Sequence, residues 1–130
     1  MATLDPDMDS FDKLMYLNRE MFLMIENTIS LDLLARLYST QLITTGEKHL
    51  LDRNRIYYRL LRRIAQEGQD RGQLTSEVPA GEIARIYAMC ERGLLYDWCI
   101  REGEYSLSAY AQRMMPMFLG GLRANKHNSV

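Results

Sequence analysis

At 130 residues, 47% hydrophobic and 25% charged, the chain has the length of one domain and the balance of a folded one, which excludes wholesale disorder. A domain of this size buries a core without disulfides or a metal. Its net charge of -1 excludes a broad basic field that would draw DNA or an anionic membrane.

No stretch alternates with the period of a strand, and the pattern along the chain predicts five helices. The first spans about Met8 to Asn27, with Asp9 or Ser10 as N-cap. Phe11, Leu14, Met15, Leu17, Met21, Phe22 and Ile25 give it a wide apolar stripe, the mark of a helix buried on more than one side. The second runs from Leu31 to about Leu42 after Ser30, with Leu33, Leu34, Leu37 and Tyr38 at helical spacing. Thr44, Thr45 and Gly46 end it, and a polar connection leads to about Asn54. The third runs from about Arg55 to Arg71 on an apolar face of Ile56, Tyr57, Leu60, Leu61 and Ile64, and Gly72 stops it. The fourth starts near Pro79, where proline suits a first turn, and ends before Gly103. The fifth follows Ser106 and fades near Asn125, with Lys126 to Val130 as a tail. Pro116 is expected to free the Gln112 carbonyl and kink this last helix.

Cys90 and Cys99 fall on opposite faces of the fourth helix and cannot bridge each other within it. A cytoplasmic setting is the expectation, since no leader-like segment is evident and no apolar run approaches the roughly 20 residues of a membrane span. His49 and His127 lack partners at metal-ligand spacing, so neither a metal nor a cofactor is expected. No nucleophile-base pairing and no phosphate-cradling glycine loop appears, and the chain is not expected to be an enzyme. The basic run Arg53, Arg55, Arg59, Arg62 and Arg63 reads as a solvated face balanced by Asp5, Asp7, Asp9 and Asp12, because aromatics do not interleave it in a nucleic-acid pattern.

Nine methionines, most in helical segments, suit either an ordinary core or an adaptable apolar pocket. With tyrosines and a tryptophan supplying polar tips, the candidate pocket is lined by Met15, Tyr38, Tyr57, Tyr87, Cys90 and Trp98 and would take a small hydrophobic or aromatic effector. Gly93, Gly120 and Gly121 cost helix propensity and either permit close helix approach or, for the last two, weaken the helix end.

Three segments carry a resemblance. They are Glu67-Gly68-Gln69-Asp70-Arg71-Gly72-Gln73-Leu74, then Glu82-Ile83-Ala84-Arg85 through Gly93-Leu94 to Trp98, and Ser106-Leu107 leading to Leu119-Gly120-Gly121-Leu122. Together with Leu34 to Leu42, they resemble the C-terminal effector-binding and dimerisation domain of TetR/AcrR-type transcriptional regulators. The resemblance implies an all-α five-helix domain over residues 1–130, a homodimer, and transcription regulation through an effector bound in the core. It also implies that the fourth and fifth helices pair with those of a second copy through Ile86, Gly93, Leu94, Asp97, Met114, Met117, Phe118, Gly121 and Leu122. Nothing matches the family's N-terminal helix-turn-helix, so no direct, specific DNA binding by this chain alone is expected. The alternative is a helical interaction module that heterodimerises with an intact regulator and binds no small ligand.

Overall fold

The structure is a computed structural model that describes residues 5–28 and 55–124. Within them are four α-helices and one short 3-10 turn: α1 (Ser10–Thr28), α2 (Arg55–Asp70), α3 (Ala80–Ile100), α4 (Leu107–Leu119) and the turn Gly120–Leu122. The all-α class is therefore shown, whereas the count of five is not. The expected second helix, with Ser30 and Tyr38, lies outside the described residues, as do His49 and His127. Among the described helices none is long and apolar enough to cross a membrane.

Each helix end has a local cause. The Asp9 carboxylate accepts from the Phe11 amide at 2.8 Å and caps α1, while Ser10 lies inside the helix. Pro79 occupies the N-cap position of α3, one residue before its first turn. The Ser106 hydroxyl accepts from the Ala109 amide at 3.3 Å and opens α4. Past that start α4 stays helical through Pro116 to Leu119 and then tightens into the 3-10 turn, short of the expected end near Asn125.

The segment Glu67 to Leu74 is a helix stop that doubles as a clasp. Gly72 has φ +70°, and the amides of Gly72 and Gln73 donate to the carbonyls of Gln69 and Gly68, at 3.1 and 2.7 Å. This paired pattern with a left-handed residue is the Schellman stop. Leu74 then folds back onto Gly68, where an added Cβ would stand 2.5 Å from Leu74 Cδ1 and 2.9 Å from Ser10 Cβ. The Gln69 side chain donates to the carbonyls of Thr75 and Val78, and Gln73 Oε1 accepts from the Ser10 amide. Arg71 reaches the Pro6 carbonyl at 3.1 Å. Leu74 also makes an isolated antiparallel bridge with Arg123, with Thr75 N–H donating to the Leu122 carbonyl and Ala124 N–H to that of Gln73.

The core forms where one face of each helix meets the others. Phe11, Leu14, Leu17, Phe22 and Ile25 of α1 pack with Leu61, Ile64 and Ala65 of α2, and with Ile83, Ala84, Tyr87, Leu94 and Trp98 of α3. Leu107, Ala111, Met115 and Leu119 of α4 close it. The most extensive pairings are α1 with α4 and α2 with α3. Arg59, Arg62 and Arg63 point away from this core and are exposed.

Candidate functional site

In α3 the buried positions recur as Ala80, Ile83, Ala84, Tyr87, Glu91, Leu94 and Trp98. Glu91 thus stands on the core stripe, one turn beyond Tyr87, and is 7% exposed. In α1 Asn18 falls on the same kind of stripe, one turn beyond Leu14, and is also buried. Neither residue was singled out from the sequence, although a polar residue at an apolar period was a readable signal.

These residues meet at one node. Asn18 Nδ2 donates to Glu91 Oε2 at 2.9 Å. The Tyr57 hydroxyl, from α2, donates to the same carboxylate at 3.1 Å to Oε2 and 3.4 Å to Oε1. The Tyr87 hydroxyl lies 2.9 Å from that of Tyr57. A phenol has one proton, so with Tyr57 donating to Glu91, Tyr87 donates to Tyr57. The chain Tyr87 to Tyr57 to Glu91 is a directional relay in which each bond polarises the next. It ties α1, α2 and α3 together through a single carboxylate.

Burial dominates the electrostatics here. It pushes Glu91 up to about 7, against the lowering effect of the Asn18 amide, of the two nearby phenol hydroxyls and of the Arg92 charge. Burial and then the Glu91 charge hold both tyrosines well above the usual phenol range. Cys90 is raised for the same two reasons, and Cys99 by burial. A thiol in this state is a poor nucleophile. Among the described residues no cluster of His, Cys, Asp and Glu could hold a metal ion.

Comparison with known proteins finds no match to a family model, a curated protein or a solved structure.

The residues expected to line one pocket are dispersed. Tyr57 and Tyr87 do meet, with ring centroids 6.4 Å apart. Met15 instead lines an open groove of about 320 Å³ between α1 and α4, together with Asn18, Met115 and Pro116. Cys90 lines a larger open groove of about 650 Å³ on the outer side of α3 and α4, with Gly93, Leu94, Asp97, Tyr110 and Phe118. Trp98 is buried at the far end of α3, where its Nε1 donates to the Tyr105 carbonyl at 2.9 Å. Tyr38 lies outside the described residues.

The residues expected at a partner surface divide into two groups. Met117 is 73% exposed and Phe118 51%, and Gly93 and Gly121 are also exposed. Ile86, Asp97 and Met114 are half-buried. Leu94 and Leu122 are buried in the chain's own core and serve that core first. The outer stripe of α3 also includes Met89, Tyr96 and Ile100, all exposed and at helical spacing with Gly93, a set that was overlooked in the sequence. At Gly93, Gly120 and Gly121 an added Cβ would meet nothing within 4 Å.

Proposed function

We propose that the chain is the effector-sensing and dimerisation domain of a TetR-type transcriptional regulator, a binding and assembly module rather than an enzyme. The observation that carries this proposal is the exposed apolar face shared by α3 and α4. Met89, Gly93, Tyr96, Ile100, Met117 and Phe118 are large apolar or glycine positions left outside the core. Exposed apolar side chains gathered on one face mark a surface that a partner covers. A second copy related by a two-fold axis would bury the same face twice, and the bare glycines would let two helices approach closely.

The effector half of the proposal is supported by the polar node. A buried carboxylate with two phenols in an apolar core is a small set of placed polar groups, the usual furniture of a ligand site. Because the node joins three helices, a ligand that rearranges it gains or loses affinity with their relative positions. That differential affinity is what a two-state sensor needs. DNA reading is assigned to none of the described helices. Arg59, Arg62 and Arg63 of α2 are exposed, but its opposite face is committed to the core through Leu61, Ile64 and Ala65, so phosphate attraction without sequence choice is all they offer.

Light scattering tests the assembly. The 15.2 kDa chain should run at twice its mass at micromolar concentration, and Phe118→Asp should return it to one copy with its helical content kept. Native mass spectrometry tests the sensor. A co-purifying small molecule supports it, whereas a monomeric wild-type chain would remove the basis for the proposal. A dimer that never retains or binds a small molecule would favour the ligand-free interaction module.

A further inference from the structure

Among the described residues, the groups in hydrogen-bond contact with the Glu91 carboxylate are uncharged, namely Asn18 and Tyr57. Arg92, whose charge acts on it, is the next residue of α3 and is exposed. An ionised carboxylate out of water is stabilised best by a cation brought to it. Two phenol rings stand at the same place, and aromatic faces attract organic cations. The node also has an edge toward a binding space. Asn18, which donates to Glu91, lines the groove of about 320 Å³ between α1 and α4. Met8, Met15, Met115 and Pro116 give that groove an apolar, adaptable wall. Its own carboxylate, Asp12, has Arg123 at 3.8 Å.

We infer that the effector is an amphiphilic amine, whose apolar body lies in the groove walled by Met15 and Met115 and whose ammonium replaces the Asn18 amide at the Glu91 carboxylate. This inference rests on the sensor proposal above and narrows its ligand from apolar or aromatic to cationic. Arg19, exposed at the same groove, disfavours a second positive charge on the ligand. Binding draws Glu91 into its ionised form, so a proton leaves as the amine enters.

The test uses the whole chain and three probes of matched shape: naphthylmethylamine, naphthylmethanol and naphthoic acid. Calorimetric titration should show the amine binding at least about tenfold more tightly than the alcohol at pH 8, the order expected when a buried charge gains its counter-charge. Because Glu91 titrates at about 7, amine affinity should rise about tenfold from pH 6 to pH 8, with proton release. The other groups facing Glu91 hold one charge state across that range. Tyr57 from α2 and Tyr87 and Cys90 from α3 are all raised and stay neutral, Arg92 is the neighbouring charge on α3, and α1 contributes the uncharged Asn18. Glu91→Gln should flatten the pH profile. In the wild-type chain, carbon-labelled methyl resonances of Met15 and Met115 should shift with the amine, which reads groove occupancy without any variant. Equal or tighter binding of the alcohol or the acid would overturn the cationic inference and leave the sensor proposal standing. Tight amine binding with both methionine methyls unmoved would place the ligand elsewhere and overturn it too. No binding by any probe rejects the inference, and joined to the absence of a co-purifying molecule it rejects the sensor as well.

Discussion

Replacing Glu91 by glutamine should change stability with opposite signs at the two ends of the pH range. Glu91 titrates at about 7 in the folded chain against an ordinary value of 4.5. Between those values the folded chain keeps a proton that the unfolded chain has lost. The contribution is therefore whole below the unfolded value and is lost as pH rises through the folded one. A gap of about 2.5 units at about 1.4 kcal/mol each amounts to about 3 kcal/mol. Glutamine removes that loss by staying neutral. Its amide oxygen can still accept from Asn18 and Tyr57, but its NH2 end turns the weaker Tyr57 contact at 3.4 Å into a mismatch, at about 1 kcal/mol. The variant should thus be about 1 kcal/mol less stable than wild type at pH 4.5 and about 2 kcal/mol more stable at pH 8. Urea denaturation followed by circular dichroism at several pH values, at one chain concentration, reads the crossing. Parallel wild-type and variant profiles would show that Glu91 does not titrate in this window, and the assigned burial effect would be wrong.

Three further outcomes are expected. Gly68→Ala should destabilise the fold by about 1–3 kcal/mol in a thermal or urea melt, because its Cβ would stand 2.5 Å from Leu74 Cδ1. Glu26→Ala should cost about 1–2 kcal/mol, since this carboxylate accepts from the Leu107 and Ser108 amides at 2.7 and 3.0 Å and caps α4. Burial works to raise Glu26, but hydrogen bonds from Ser108, Leu107 and Ser106 prevail and hold it below its ordinary value, so the wild-type advantage should fade as pH falls through that lowered value. Glu102→Gly should raise the melting temperature by a few degrees, about 1 kcal/mol, because Glu102 ends α3 at φ 53°, a conformation that only glycine adopts without cost.

Helix positions were legible in the sequence where periodicity and a stop signal agreed. The expected span from Arg55 to Arg71 closed by Gly72 meets α2 at Arg55–Asp70, and Ser106 does open α4. The C-terminal end was less legible. Two glycines and a proline left the direction of the chain after Leu119 open, and a backbone bridge to Leu74, remote in sequence, decides it. The candidate site was legible only in part. Tyr57 and Tyr87 were found as aromatics with polar tips, but their meeting point is Glu91, which looks in the sequence like one more helix-surface charge. Its phase with Tyr87 and Leu94 places it inside. Met15, Cys90 and Trp98 shared chemistry with the tyrosines but not direction, and composition alone says nothing of direction.

The Glu26 cap has a mechanical meaning. It pins the last turns of α1 to the start of α4, while Asp12 and the ring of Phe11, both in the first turn of α1, meet Arg123 just beyond the end of α4 at 3.8 and 4.0 Å. The two helices are thus fastened at both ends, like the long sides of a braced frame. Sliding α1 along α4 would break both fastenings together.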